Sequence, residues 1–146
     1  MTPPFLELLA VLACTLFTGA AVYITAVEHP ARLSCGTEIA ATQWQPSYRR
    51  ATVMQASLAV AAALFGMVRG VQGGGPLWFA AAILIVAVVP FTLIVIRPTN
   101  NRLLDPHRDP RSDETLRLLT SWGRLHLVRS VLGIAASILF VWAATH

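Results

Sequence analysis

The 146-residue chain is 55% hydrophobic and only 12% charged, with a mean hydropathy of +0.63. Soluble domains carry about 25% charged residues, so this composition excludes an ordinary soluble domain and is that of an integral membrane protein. The net charge of +4 comes from eleven basic residues, all of them arginine and mostly in two loops; that distribution suits a membrane protein and gives no ground for a nucleic-acid partner.

Four stretches are apolar over roughly the 20 residues a bilayer requires. The predicted spans cover about 4–27, 51–68, 77–96 and 122–144. Together they form a single all-α domain over 1–146, an integral membrane up-down four-helix bundle. Met1 to Pro4 has no basic n-region and the first span is too long for a signal peptide, so none is expected. Pro30 and Pro98 follow the first and third spans, and a residue before proline tends to leave the helix. Gly70 and the run Gly73-Gly74-Gly75-Pro76 predict a tight turn between spans two and three. Before the last span, Ser112 is placed to cap a short interfacial helix, with Asp113 and Glu114 in its first turn. Trp78 and Trp142 are expected as belt residues at the outer interface.

Arginine counts set an expected orientation. Arg32, Arg49 and Arg50 follow span one, and Arg97, Arg102, Arg108, Arg111, Arg117 and Arg124 follow span three, whereas the opposite side holds only Arg69. The positive-inside rule then puts both long loops in the cytoplasm and both termini outside, with the bacterial inner membrane as the expected location. Arg49, Arg50 and Arg124 read as anchors for lipid headgroups.

This topology gathers the polar residues at one end of the bundle. Glu28, His29 and Arg32 leave span one there, and Tyr48 and Gln55 enter span two; Asn100, Asn101 and Arg102 leave span three, and Trp122, His126 and Arg129 enter span four. At 1.5 Å per residue, His126 and Arg129 lie about 6–10 Å deeper than Trp122, on the same helix face. An arginine or histidine facing lipid at mid-helix costs at least ~2.5–3.5 kcal/mol, so both are expected to face the bundle interior. A base, a cation and an aromatic wall would then meet in one pocket. A short echo also links the two hairpins, His29-Pro-Ala-Arg32-Leu33 resembling Pro98-Thr-Asn-Asn-Arg102-Leu103.

These strings bring a known family into view. Glu28-His-Pro-Ala-Arg32-Leu33 and Trp44-Gln-Pro-Ser-Tyr48-Arg-Arg-Ala-Thr-Val-Met-Gln55-Ala resemble the anthrone oxygenase-like membrane proteins, and Pro98-Thr-Asn-Asn101-Arg-Leu103 and Trp122-x-x-x-His126-x-x-Arg129 are similar to that family's later pattern. The resemblance covers nearly the whole chain and implies oxidation of a flat phenolic or anthrone, such as emodin anthrone, to a quinone with molecular oxygen and no cofactor. In that chemistry His126 is the candidate base and Arg129 the cation for the developing oxyanion. Trp122 and Tyr48 would stack on the rings, while Gln55, Asn101 and His29 complete the substrate-binding set. The expected partners are a hydrophobic small molecule, molecular oxygen and membrane lipid.

Other readings stand beside this one. His126 and Arg129 can act as structural glue, with Arg129 pairing to Glu28 or capping carbonyls of span three. Glu28, His29 and His126 offer a two-imidazole, one-carboxylate set for iron, and haem could lie between the two histidines. Glu7 is the one carboxylate a proton-coupled exporter could use, but it lies at the far end from the polar cluster. Cys14 and Cys35 form no Cys-x-x-Cys motif, which disfavours thiol redox. Cys14 shares a face with Thr18, Thr25 and His29.

Overall fold

The computed structural model describes residues 5–146; Pro4, where the first span was expected to begin, and the Met1 to Pro4 segment, where no signal peptide was expected, lie outside the described residues. Four long helices cover the chain: α1 (Phe5–Ser34), α2 (Thr37–Gly74), α3 (Pro76–Leu103) and α4 (Asp113–Thr145). Each is long and apolar enough to cross a membrane, and the fold is all-α among the described residues. The helices alternate in direction, and α1 and α3 each pack against both α2 and α4. Leu8, Leu12, Leu16, Val53, Leu64, Ile83, Ile94, Val131 and Ile138 point outward and are exposed, the lipid-facing surface of an integral membrane protein.

Lipid tails are as apolar as leucine, so the helices are held by close packing and interhelical hydrogen bonds rather than by the hydrophobic effect. The half of the bundle near the termini shows this. Its core is Ala10, Ala13, Ala21, Ala59, Ala62, Ala81, Ala82 and Ala136 around Phe17, Trp78, Ile85 and Phe140. Gly66 is spent inside the chain: a Cβ there would lie 2.6 Å from the Phe140 ring. Trp78 is fully buried against Phe140 rather than in an interfacial belt, with the Arg69 guanidinium 5.9 Å from its ring centroid. Trp142 is exposed as expected. Glu7 accepts a 2.6 Å hydrogen bond from Arg69 Nε, so the carboxylate that an exporter would need is tied into an ion pair.

The helices extend well past the predicted spans. At 1.5 Å per residue a 33-residue helix such as α4 runs about 50 Å, beyond a hydrocarbon core of ~30 Å. The segment after Ser112 is not a separate interfacial helix. It is the first turns of α4, capped by the Ser112 hydroxyl accepting from the Thr115 amide at 3.2 Å. Nor do Pro30 and Pro98 end their helices. In α1 a π-helical turn at Ile24–Glu28 precedes Pro30, and in α3 another at Thr92–Ile96 precedes Pro98. In both, the amide just before the proline reaches five residues back, His29 to Ile24 and Arg97 to Thr92. The wider turn keeps the proline ring clear of the preceding carbonyls and lets the helix continue. The echo between the hairpins is therefore matched by a shared backbone device.

The connections are short and braced. Gly36 turns the chain between α1 and α2 at φ 92°, and Gly73 and Gly75 do the same between α2 and α3 at φ 89° and 91°; residues with a side chain rarely adopt such angles. The 104–112 loop is held by Arg108, which donates to the Leu103 carbonyl at 3.1 Å and to Thr115 Oγ1 at 2.5 Å. Arg111 grips Glu38 at the start of α2 through two bonds of 2.8 and 3.0 Å. That contact raises the guanidinium's pKa further above its ordinary value, so the cation is permanent.

Candidate active site

The arginine-rich half of the bundle has a different interior, built of aromatic and polar side chains. On α4, Trp122, His126, Arg129 and Ser130 share one inward stripe, as residues spaced by three and four on a helix must. His126 is 2% exposed and Arg129 7%. Counting about 20 residues back from Thr145 puts His126 near the border of the hydrocarbon remote from the termini. Its imidazole stacks on Trp122, centroids 4.8 Å apart and planes at 28°. Thr25 Oγ1, carried inward by the π-turn of α1, lies 3.0 Å from His126 Nδ1 and 2.8 Å from Ser130 Oγ. Nδ1 is thus occupied, while Nε2 has no protein hydrogen bond among the described residues.

Arg129 donates from Nη2 to Gln55 Oε1 of α2 at 2.7 Å and lies 5.8 Å from the Phe17 ring centroid. It pairs neither with Glu28 nor with any other carboxylate among the described residues. A buried cation without a counter-charge costs several kcal/mol even after relaxation. Glu28 is spent elsewhere. It pairs with Arg32, accepts from Ser47 Oγ at 2.7 Å and accepts from Gln43 Nε2 at 3.1 Å.

From α2, Tyr48 stacks face to face on Trp44, 4.8 Å away and 7° from parallel. Its hydroxyl accepts from Asn100 Nδ2 of α3 at 3.1 Å. Trp44 meets Trp122 edge-on at 5.7 Å. The two entering helices therefore carry matched stacks, Trp44 on Tyr48 and Trp122 on His126. The rings expected to sandwich a ligand already lie against protein partners: Trp122 supports His126, and Tyr48 has one face covered by Trp44.

Asn101 is not brought together with the other predicted binding residues. It points outward and is exposed, whereas Asn100 is buried and meets Tyr48. Neighbouring helix positions are about 100° apart, and here the inward direction falls on Asn100. The π-turn upstream inserts an extra residue into the register, which the amino-acid pattern does not announce. His29 is buried too; its Nε2 donates to the Leu119 carbonyl of α4 at 2.9 Å. It sits so close to α4 that a Cβ on Gly123 would lie 2.7 Å from the ring.

The three residues of the iron alternative hold other partners in this arrangement. Glu28 is committed to Arg32, Ser47 and Gln43, and His29 Nε2 to a carbonyl. No cluster of three or more metal-ligating side chains occurs among the described residues. Trp122 packs against both imidazoles of the haem alternative, His29 and His126, at 5.0 and 4.8 Å.

Two adjoining cavities meet at Arg129 and Gln55. A narrow chamber of about 10 Å³, room for roughly one water molecule, is lined by Arg32, Ser47, Tyr48, Thr52, Gln55, Trp122, His126 and Arg129. A larger, almost wholly apolar slot of about 90 Å³ lies between α2 and α3, with Phe17, Thr52, Gln55, Ala56, Ala59, Val88, Val89, Thr92, Leu93 and Arg129 around it. Among the lining residues Arg129 Nε, Gln55 Nε2 and Arg32 Nε are buried with no protein hydrogen-bond partner among the described residues, as are His29 Nδ1, Asn100 Oδ1 and Trp44 Nε1 in the same half and Arg108 Nε in the 104–112 loop. A buried polar atom left unpaired costs about 1–3 kcal/mol, so the three on the cavity walls are donors open to a ligand or water. Thr25, Ser130 and Asn100 belong to this arrangement too. Thr25 was placed on the face of Cys14 and His29 and Asn100 among the polar residues leaving span three, while for Ser130 the spacing of four from His126 was the available pointer.

Fold and site together define a membrane-embedded helical bundle with a buried basic and aromatic pocket. The family model for anthrone oxygenase matches residues 44–139. Anthrone oxygenase tpcL of Aspergillus fumigatus is 32% identical over 142 residues, covering 89% of this chain and 87% of the relative. An anthrone oxygenase of Claviceps purpurea is 27% identical over 94% of this chain and 87% of its own. Anthrone oxygenase nsrD of Aspergillus novofumigatus is 36% identical over 61% and 60%. No solved structure matches. The chain belongs to the anthrone oxygenase family.

Proposed function

We propose that this protein is a membrane oxygenase that converts a flat phenolic or anthrone-type substrate to a quinone with molecular oxygen and no cofactor. The observation that carries the reading is Arg129, a buried cation with no carboxylate partner, one helical turn from His126. Such a cation is placed to receive negative charge that develops during a reaction.

The chemistry assigns a role to each group. With Nδ1–H donating to Thr25 and the Thr25 hydroxyl donating to Ser130, His126 Nε2 presents a lone pair to the pocket. It removes a proton from the acidic methylene of the substrate, leaving an aromatic enolate. Arg129 and Gln55 stabilise the enolate oxygen. The enolate passes one electron to dioxygen, and the two radicals combine at the former methylene carbon. The proton held on His126 returns to the peroxide, giving a hydroperoxide. Loss of the remaining hydrogen on that carbon with cleavage of the O–O bond releases water and leaves the second carbonyl. One oxygen atom enters the product and the other leaves as water. The arginine-rich end is assigned to the cytoplasmic side, with both termini across the membrane.

Oxygen uptake by the purified protein in lipid nanodiscs with an emodin-type anthrone tests this, with spontaneous autoxidation as the baseline. The expected result is uptake above baseline that persists with chelator, with one atom of ¹⁸O₂ in the quinone. Uptake that chelator abolishes, or none above baseline, contradicts it.

A further inference from the structure

We propose that the substrate reaches this site sideways from the bilayer, and that the slot between α2 and α3 is the subsite for the leading edge of its rings. The proposal rests on the oxygenase reading for the class of ligand, a flat aromatic with enolisable or phenolic oxygen at one edge.

The slot runs from lipid to the reacting groups. Its mouth is formed by Ala56 and Leu93, both exposed on the outer surface. Its walls are Ala59, Val88 and Val89, apolar side chains that offer a ring nothing to hydrogen-bond. Its inner end is Gln55 and Arg129, which also line the His126 chamber. Those two residues are 1% and 7% exposed, and each keeps one nitrogen, Gln55 Nε2 and Arg129 Nε, without a partner. The apolar part of the cavity ends on donors that suit an oxygen anion.

Size decides how the ligand sits. An apolar cavity of ~150 Å³ takes up benzene, and this slot holds about 90 Å³. The slot is smaller than that one-ring benchmark, so no ring is wholly enclosed. The molecule enters edge first, its oxygen-bearing edge in the slot and the rest of its rings at the mouth and among acyl chains. A ligand oxygen replaces Gln55 Oε1 on Arg129, which joins slot and chamber. A wider groove of about 310 Å³ lies between α1 and α2 at Tyr23 and Met54. It touches neither Gln55 nor Arg129, and adjoins the chamber at Ile24, Ser47 and Ala51.

The test is equilibrium binding of 1,8-dihydroxyanthraquinone, which carries the phenols but no oxidisable methylene, to the protein in phosphatidylcholine nanodiscs. Ala56→Trp fills the slot mouth from a lipid-facing position, and Met54→Trp fills the α1/α2 groove. Denying the aromatic edge its buried site should weaken binding about tenfold or more in Ala56→Trp. Met54→Trp should match wild type. Wild-type affinity in Ala56→Trp, loss in Met54→Trp instead, or no saturable binding by the wild type would each overturn the proposal. Oxygen uptake measured alongside separates the two readings. Intact turnover with binding indifferent to Ala56→Trp sinks the slot alone, whereas slot-dependent binding without turnover sinks the oxygenase alone.

Discussion

His126 owes its place to neighbours that hold each of its ring features separately. Trp122 sets the plane, and Thr25 occupies Nδ1 at 3.0 Å. Thr25→Val keeps the shape and removes the hydroxyl, so kcat should fall about tenfold or more with KM little changed. Steady-state oxygen uptake over a range of anthrone concentrations checks this, and an unchanged kcat would make Thr25 packing only. His29 plays a different part, pinning α1 to α4 through the Leu119 carbonyl. Because a Cβ on Gly123 would lie 2.7 Å from that imidazole, Gly123→Ala should cost about 1–3 kcal/mol through overpacking. Thermal unfolding in nanodiscs should show a lowered midpoint. At this scale the sequence was informative where a residue is both ionisable and inside a span, as with His126 and Arg129. It put Thr25 on the face of Cys14 and His29 without a role and did not single out Ser130, since hydroxyls on membrane helices are common and become meaningful only once the facing helix is known.

The elements differ from the expectation at the two prolines and at the start of α4. Pro30 and Pro98 read as helix ends because proline lacks an amide, and the remedy, a π-turn two residues upstream, has no residue signature of its own. The same turn explains why Asn100 rather than Asn101 faces Tyr48. Asn100→Ala removes the Nδ2 donor to the Tyr48 hydroxyl, 3.1 Å away, and should lower activity several-fold, about the worth of one buried hydrogen bond. Asn101→Ala, on the exposed face, should leave oxygen uptake at the wild-type rate. Equal effects from both substitutions would argue that the register of α3 is wrong. The first turns of α4 looked like a separate element because Asp113, Glu114 and Arg117 are too polar for a span. They continue the helix outside the hydrocarbon, where polar residues are at no disadvantage.

Across the whole molecule the two halves divide the work. Alanine and phenylalanine packing near the termini holds the helices together, and the polar half carries the buried groups without partners. This division was legible from the chain alone: up-down topology brings the polar ends of four spans to one leaflet whatever the details of packing. A pocket at that end was expected as well, but not its opening between α2 and α3, which depends on which small side chains of α2 face α3. Glu7 belongs to the structural half, bonded to Arg69 at 2.6 Å. Glu7→Gln should therefore leave oxygen uptake unchanged, and a loss of turnover with the fold intact would bring the far end of the bundle into the mechanism.

The central claim is that His126 and Arg129 form one reacting centre, and its most direct measurement is anthrone-dependent oxygen uptake by His126→Gln and Arg129→Gln beside wild type in nanodiscs. Helical content and unfolding midpoint are read on the same samples. Losing the base should cost about 10²–10⁴-fold and losing the preorganised cation about 10²–10³-fold, with both variants folded. Folded variants that retain wild-type turnover would contradict the assignment.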